Sequence, residues 1–277
     1  MFAACALKSF DNYNYRRVFS SDCGRERIFI LMIFLYFDNQ GKVHGQIQYQ
    51  NYFFANIGLV LMAEVDPEAL ADVAYGIFEH LLNRGLRAQD KYLYALVEGG
   101  VDFRADLVSI LEKFREEYPQ LAESMLQRFS DTETIYTMLC SGEGVLPTKT
   151  TQMYWIVLDA PGSAPEAIED ENVGKWLIFQ EPDLVDMAWK NVRDATVTGE
   201  LGISAKVSTA KPNPDSRDNR KVIYVYTKDW ADETDVMRVR EKLRELGFAD
   251  RIGYKRNLET FAGEYAKKGK RVTYYTA

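Results

Sequence analysis

Residues 203–209, ISAKVST, and residues 220–227, RKVIYVYT, flank the polar run KPNPDSRDN at 211–219. In the first segment Ile203, Ala205 and Val207 alternate with Ser204, Lys206 and Ser208, the period of a strand with one apolar face. In the second, Val222, Tyr224 and Tyr226 oppose Ile223 and Val225. The connection holds no crossover helix, so the two strands are expected to pair as an antiparallel hairpin. Strands and helices alternate on either side of it. Lys175 to Gln180 reads as a strand, and Pro182 to Thr196 as a helix with Leu184, Val185, Ala188, Trp189 and Val192 on one face. Asp232 is placed to cap a helix with the stripe Val236, Val239, Leu243 and Leu246, ended by Gly247. Ile252 to Lys255, Leu258 to Ala266 and Arg271 to Thr276 read as strand, short helix and strand. An antiparallel sheet with helices packed on one side, an α+β fold, is the expected architecture.

The strings GKWLIF (174–179), GELGISAKVSTA (199–210), VIYVYTKDWADETDVMRVREKLRELG (222–247) and IGYKRNLETFAGEY (252–265), with the Trp189 helix between the first two, together resemble the family of the basophilic leukaemia-expressed protein. Its prokaryotic members often carry the automatic name putative phosphothreonine lyase domain. The resemblance covers about residues 173–277. It implies a fold similar to that of the cap-binding translation initiation factor 4E, a curved antiparallel sheet with helices on its convex side. It does not imply one activity, and it does not reach the first 172 residues.

Those residues divide by charge. Residues 1–61 carry a net +2, residues 62–150 a net −8 and residues 151–277 a net −1. Residues 1–61 form an aromatic-rich extension with a ten-residue apolar run from Ile28 to Phe37. A bilayer-spanning helix needs about 20 such residues, so this run reads as a buried strand rather than a span. His44 reads as a loop residue, and a second apolar stretch runs from Tyr52 to Leu61. At Met62 the composition changes to regular helix, which makes a later translation start there an open alternative. Residues 62–140 are expected to form a helical bundle, opened by Asp66, Pro67 and Glu68, with Asp102 and Asp131 as further caps. Residues 141–172 read as a linker with one strand at Gln152 to Leu158, and residues 173–277 as the α+β domain.

Strand parity points to a ligand face. If the aliphatic faces pack on the helices, Lys206, Ser204, Ser208, Tyr224 and Tyr226 share the open face, with Lys206 exposed to solvent. Lys255 lies near a strand end and can join them. Arg217 and Arg220 lie in the polar loop, and Trp230 occupies a turn suited to exposure. Lysines supply point charges to phosphate and aromatic rings supply stacking platforms. The expected partner is therefore a phosphate-bearing ligand, a nucleotide or single-stranded RNA. A protein-interaction scaffold, with a protein partner on the acidic helical module, is the alternative. Phosphothreonine lyase-like elimination is a third reading, weakened because residues 151–277 contain no histidine to serve as the acid. Whether any reaction is catalysed stays open.

The remaining chemistry is bounded by scarcity. With only His44 and His80, and Cys5, Cys23 and Cys140 without CxxC spacing, neither a metal site nor a disulfide framework is expected. Three cysteines of this kind fit a reducing, cytoplasmic setting. A net charge of −7 disfavours a generic DNA-coating protein. No GxGxxG, P-loop, HExxH or GxSxG pattern is present, so no cofactor is expected.

Overall fold

A computed structural model of the protein describes residues 15–16, 32–37, 43–48, 67–163, 171–213, 216, 218–258 and 273–277. The chain divides into two compact units, Met1–Gly144 and Val145–Ala277.

In the first unit, β1 (Tyr15–Arg16), β2 (Met32–Phe37) and β3 (Val43–Gln48) form an antiparallel sheet in that order. The strand expected in the apolar run is thus present as β2. His44 is corrected from loop to strand, opposite Tyr36 in the β2–β3 register. An apolar strand needs a partner for its backbone N–H and C=O groups, and the more polar VHGQIQ segment supplies one. Five helices follow: α1 (Pro67–Arg87), α2 (Leu93–Glu98), α3 (Arg104–Glu117), α4 (Pro119–Phe129) and α5 (Thr132–Cys140). Their buried faces hold Phe78, Leu82, Leu107, Phe114, Met125 and Leu139. Asp131 caps α5 as read from the sequence, accepting from Thr134 N at 2.7 Å. Asp102 stands one residue before the α3 cap position, which Phe103 occupies, and accepts from Arg104 N and Tyr136 Oη, each at 3.0 Å.

In the second unit, β4 (Trp155–Asp159), β5 (Gly174–Gln180), β6 (Ser204–Ser208), β7 (Lys221–Thr227), β8 (Gly253–Arg256) and β9 (Tyr275–Thr276) form one antiparallel sheet ordered β4-β6-β7-β5-β8-β9. The hairpin read from sequence is the β6–β7 pair, with Lys206 opposite Tyr224. The strand placed within a linker is β4, an edge strand of this sheet, so the unit begins at Val145 rather than at residue 173.

Two helices, α6 (Val185–Val197) and α7 (Glu233–Glu245), cover one side. Trp176, Ile178, Ala205, Val207, Ile223 and Val225 from the strands meet Val185, Trp189 and Val192 of α6 and Val236, Val239 and Leu243 of α7. Each fully buried branched side chain contributes about 1.5–3 kcal/mol, so this layer holds the sheet's odd–even register. Trp176 Nε1 donates to Val236 O at 3.1 Å, tying β5 to α7. The close approach of β8 to β5 requires Gly174: a Cβ there would lie 2.1 Å from Tyr254 Oη, which is hydrogen-bonded to Thr227 Oγ1 at 2.5 Å. Arg240 is fully buried and donates to the carbonyls of Ala277, Phe248, Ala249 and Asp250. The helix expected at Leu258 to Ala266 lies mostly outside the described residues.

Candidate functional site

With the aliphatic face turned to the helices, strand parity commits the other face of the sheet. The registers align it in rows. Asp159, Ser204, Tyr226, Lys175 and Lys255 follow one another across β4, β6, β7, β5 and β8. The next row is Val157, Lys206, Tyr224, Leu177 and Gly253. Three lysines therefore lie on one face, two of them directly opposite each other across the β5–β8 pair.

Their setting corrects one expectation. Lys206 does share a face with Ser204, Ser208, Tyr224 and Tyr226, but it is not solvent-exposed: the residue is 8 % accessible, and Lys175 and Lys255 are 6 % and 8 %. Alternation fixes which face a side chain takes, not how closely neighbouring rings fold over it. Lys206 Nζ lies 4.4 Å from the centre of the Trp155 ring, 5.4 Å from Tyr224 and 5.7 Å from Tyr226. Lys175 Nζ lies 5.4 and 5.3 Å from the same two tyrosine rings and donates to Asn257 Oδ1 at 2.8 Å. Trp155 stacks on Tyr224 at 5.2 Å, and Tyr226 meets Tyr224 edge-on at 6.3 Å. Among the described residues the Lys206 ammonium makes no ion pair and no side-chain hydrogen bond; its surroundings are the ring faces. Burial pushes its pKa down from 10.5 to about 8.

The other sequence-derived candidates are distributed differently. Ser204 is buried beside Tyr226, and Ser208 Oγ accepts from Val222 N at 2.9 Å, so that hydroxyl is engaged by the backbone. Lys255 joins the face through its pairing with Lys175. Arg220 lies at the far end of β7, paired with Asp218 at 2.8 Å and 5.2 Å from the Phe179 ring. Trp230 packs against the core on the helix side, donates to Glu171 O at 2.9 Å, and with Tyr274 flanks the Arg256 guanidinium at 4.7 and 4.5 Å. Neither Arg220 nor Trp230 is brought to the lysines. Arg217 lies outside the described residues. Trp155, Lys175 and Asn257 were missed in the sequence. The alternation around Trp176 places Lys175 on the Lys206 side, so that signal was present; Trp155 was hidden by reading its strand as part of a linker.

Among the described residues no three His, Cys, Asp or Glu side chains are grouped to hold a metal, and no helix is long and apolar enough to cross a membrane. The face offers two ammonium groups over shared rings, a stacked indole, and no carboxylate on Lys206. Chemically it can accept an anion, stack a planar group, or expose an amine of reduced basicity.

Several solved structures are similar to part of the chain. A schistosome eIF4E complexed with m7GpppG and 4E-BP is 14 % identical, with 41 % of this chain and 64 % of that one covered and a TM-score of 0.32. The C. elegans eIF4E-3 complex with the 4E-binding protein Mextli and cap analog is 18 % identical over 38 % and 64 %, with a TM-score of 0.30. Ascaris suum eIF4E-3 with m7G cap is 16 % identical over 43 % and 66 %, also at 0.30. The chain thus spans just under two thirds of the length of each. The sequence resemblance is matched directly: residues 168–261, which carry α6, α7 and four strands of the second unit, fit the family described as Basophilic leukemia-expressed protein Bles03.

Proposed function

We propose that the sheet face opposite α6 and α7 binds a phosphate-bearing ligand with a stackable base, a nucleotide either free or as a unit of single-stranded RNA. The observation that carries this reading is the Lys206 ammonium, buried against Trp155, Tyr224 and Tyr226 without an anionic partner among the described residues. A buried cation lacking a counter-charge is costly, and a ligand phosphate would supply that charge. Lys175, over the same tyrosine rings, adds a second point charge. The half-buried Trp155 ring offers a base a stacking surface, an interaction of about 1–3 kcal/mol per base.

The test is a fluorescence titration with nucleoside triphosphates and a short oligouridylate. Binding should quench tryptophan emission. Lys206→Ala should weaken binding at least about tenfold, or about 1.4 kcal/mol, with a smaller loss at high salt. Equal affinity of variant and parent removes Lys206 from the site, and no binding by the parent refutes the reading.

A further inference from the structure

The open face of the sheet carries a second aromatic ring that one nucleotide on Trp155 leaves unused. Phe179 has the parity of Lys175 and Leu177, while Trp176 and Ile178 turn to the helices. It is 51 % accessible. Trp155 stands opposite Ser208, Phe179 stands opposite Val222, and Val222 N donates to Ser208 Oγ at 2.9 Å. The two rings therefore end one row that crosses β4, β6, β7 and β5. Ser208 and Val222 between them are short side chains, so nothing bulky interrupts the row. Three strand spacings separate β4 from β5, about 14 Å in all. That is longer than one nucleobase, so no single base touches both rings.

The charges follow the same direction. Lys206, on β6, lies 4.4 Å from the Trp155 ring centre, and Lys175 lies on the strand that carries Phe179. Asp159, the carboxylate in these rows, stands on the β4 rim, three strands from Phe179. The Arg220 guanidinium lies 5.2 Å from the Phe179 ring centre, its charge offset by Asp218. An exposed phenylalanine alone is ordinary. Two rings at the ends of one row, with ammonium groups on the strands between and beside them, match a chain of alternating bases and phosphates.

We infer that this face takes a single-stranded oligonucleotide laid across the strands, with one base stacked on Trp155, another on Phe179, and the intervening phosphates over Lys206 and Lys175. The inference rests on the nucleotide reading of the same face and narrows its ligand to a chain of at least two nucleotides. Stacking uses the π-face that every base has, so the two platforms tolerate any base sequence.

The experiment is calorimetric titration of the full chain with hexauridylate, its deoxy counterpart and uridine triphosphate. Phe179→Ala should weaken hexanucleotide binding at least about fivefold, the lower end of what one base–ring stack contributes. Binding of uridine triphosphate should stay within about twofold of the parent, because a single base on Trp155 does not reach Phe179. Phe179→Leu keeps an apolar side chain without the ring and should show the same loss, so the result does not depend on the alanine variant. Trp155→Ala should weaken both kinds of ligand. Dependence on Phe179 with either hexanucleotide upholds the inference, and the tighter of the two identifies the sugar. Hexanucleotide affinity unchanged in Phe179→Ala and Phe179→Leu, or an equal loss for uridine triphosphate, overturns it. A parent that binds uridine triphosphate but neither hexanucleotide overturns it while the nucleotide reading stands; a parent that binds none of the three overturns both.

Discussion

Replacing Lys206 by methionine keeps an unbranched side chain of similar length on β6 while removing the ammonium. The folded protein holds that ammonium against ring faces, with a pKa of about 8 instead of 10.5. The sign follows from proton counting. Below pH 8 both folded and unfolded chains hold the proton, so the folded state bears the full cost of the buried charge. Between pH 8 and 10.5 the unfolded chain binds more protons, so stability rises with pH across that window. A shift of this size corresponds to about 3 kcal/mol, of which about 2 kcal/mol is recovered by pH 9.5. Lys206→Met should therefore be more stable than the parent at pH 7. Its advantage should shrink by about 2 kcal/mol between pH 7 and 9.5. Urea unfolding followed by tryptophan emission measures this in the right place, because Trp155, Trp176, Trp189 and Trp230 all lie in the second unit. Other groups that titrate in both proteins cancel in the difference. A stability gap that stays constant from pH 7 to 9.5, or a variant less stable than the parent throughout, refutes the claim that Lys206 is a buried, uncompensated cation.

Three further outcomes are expected. Arg240→Ala should destabilise the second unit by about 3–5 kcal/mol, because four carbonyls lose a common buried donor; a loss under 1 kcal/mol in urea unfolding would show that they find other partners. Gly174→Ala should cost at least about 2 kcal/mol, since its Cβ meets Tyr254 Oη, Cζ and Cε1, all within 2.6 Å; a thermal melt unchanged from the parent contradicts that packing. In the helical unit, burial pushes the Glu79 carboxyl up to about 8, beside Asn83 and Glu143. The folded state keeps its proton where the unfolded chain releases it, so Glu79 lowers stability as pH rises from about 4.5 to about 8; Glu79→Gln should flatten that fall in helix unfolding followed by circular dichroism.

The parts of the fold that the sequence discloses are those where one local period meets one chemical contrast. Ile203, Ala205 and Val207 against Ser204, Lys206 and Ser208 suffice to orient β6, and the stripe on α7 suffices to orient that helix. Asp131 and Asp232 act as caps because their chemistry is satisfied within three residues. What stays hidden depends on pairing over long separations. Trp155 reaches Tyr224 only because β4 joins β6, and nothing local distinguishes WIVLD from a strand in a connector. Lys175 meets Lys255 across eighty positions of sequence. Trp230 looked exposed in a turn, but the backbone carbonyl of Glu171 and the Arg256 guanidinium that hold it are both remote in the chain. Burial of Lys206 follows from the same long-range ring contacts, which is why parity gave its direction without its environment.

The order of strands has a dynamic consequence. The earliest strand of the second unit, β4, and the latest, β9, stand at the two rims of the sheet, while β5 and β7 occupy its middle. Deuterium should therefore enter from both rims inward, with amides of β5 and β7 exchanging last. Trp155 is on one rim strand, so opening of that rim uncovers the Lys206 amine while the helix-packed centre stays closed. Access to the amine is then set by a local opening rather than by unfolding of the whole unit, and mild denaturant should accelerate exchange in β4 before it reaches β7.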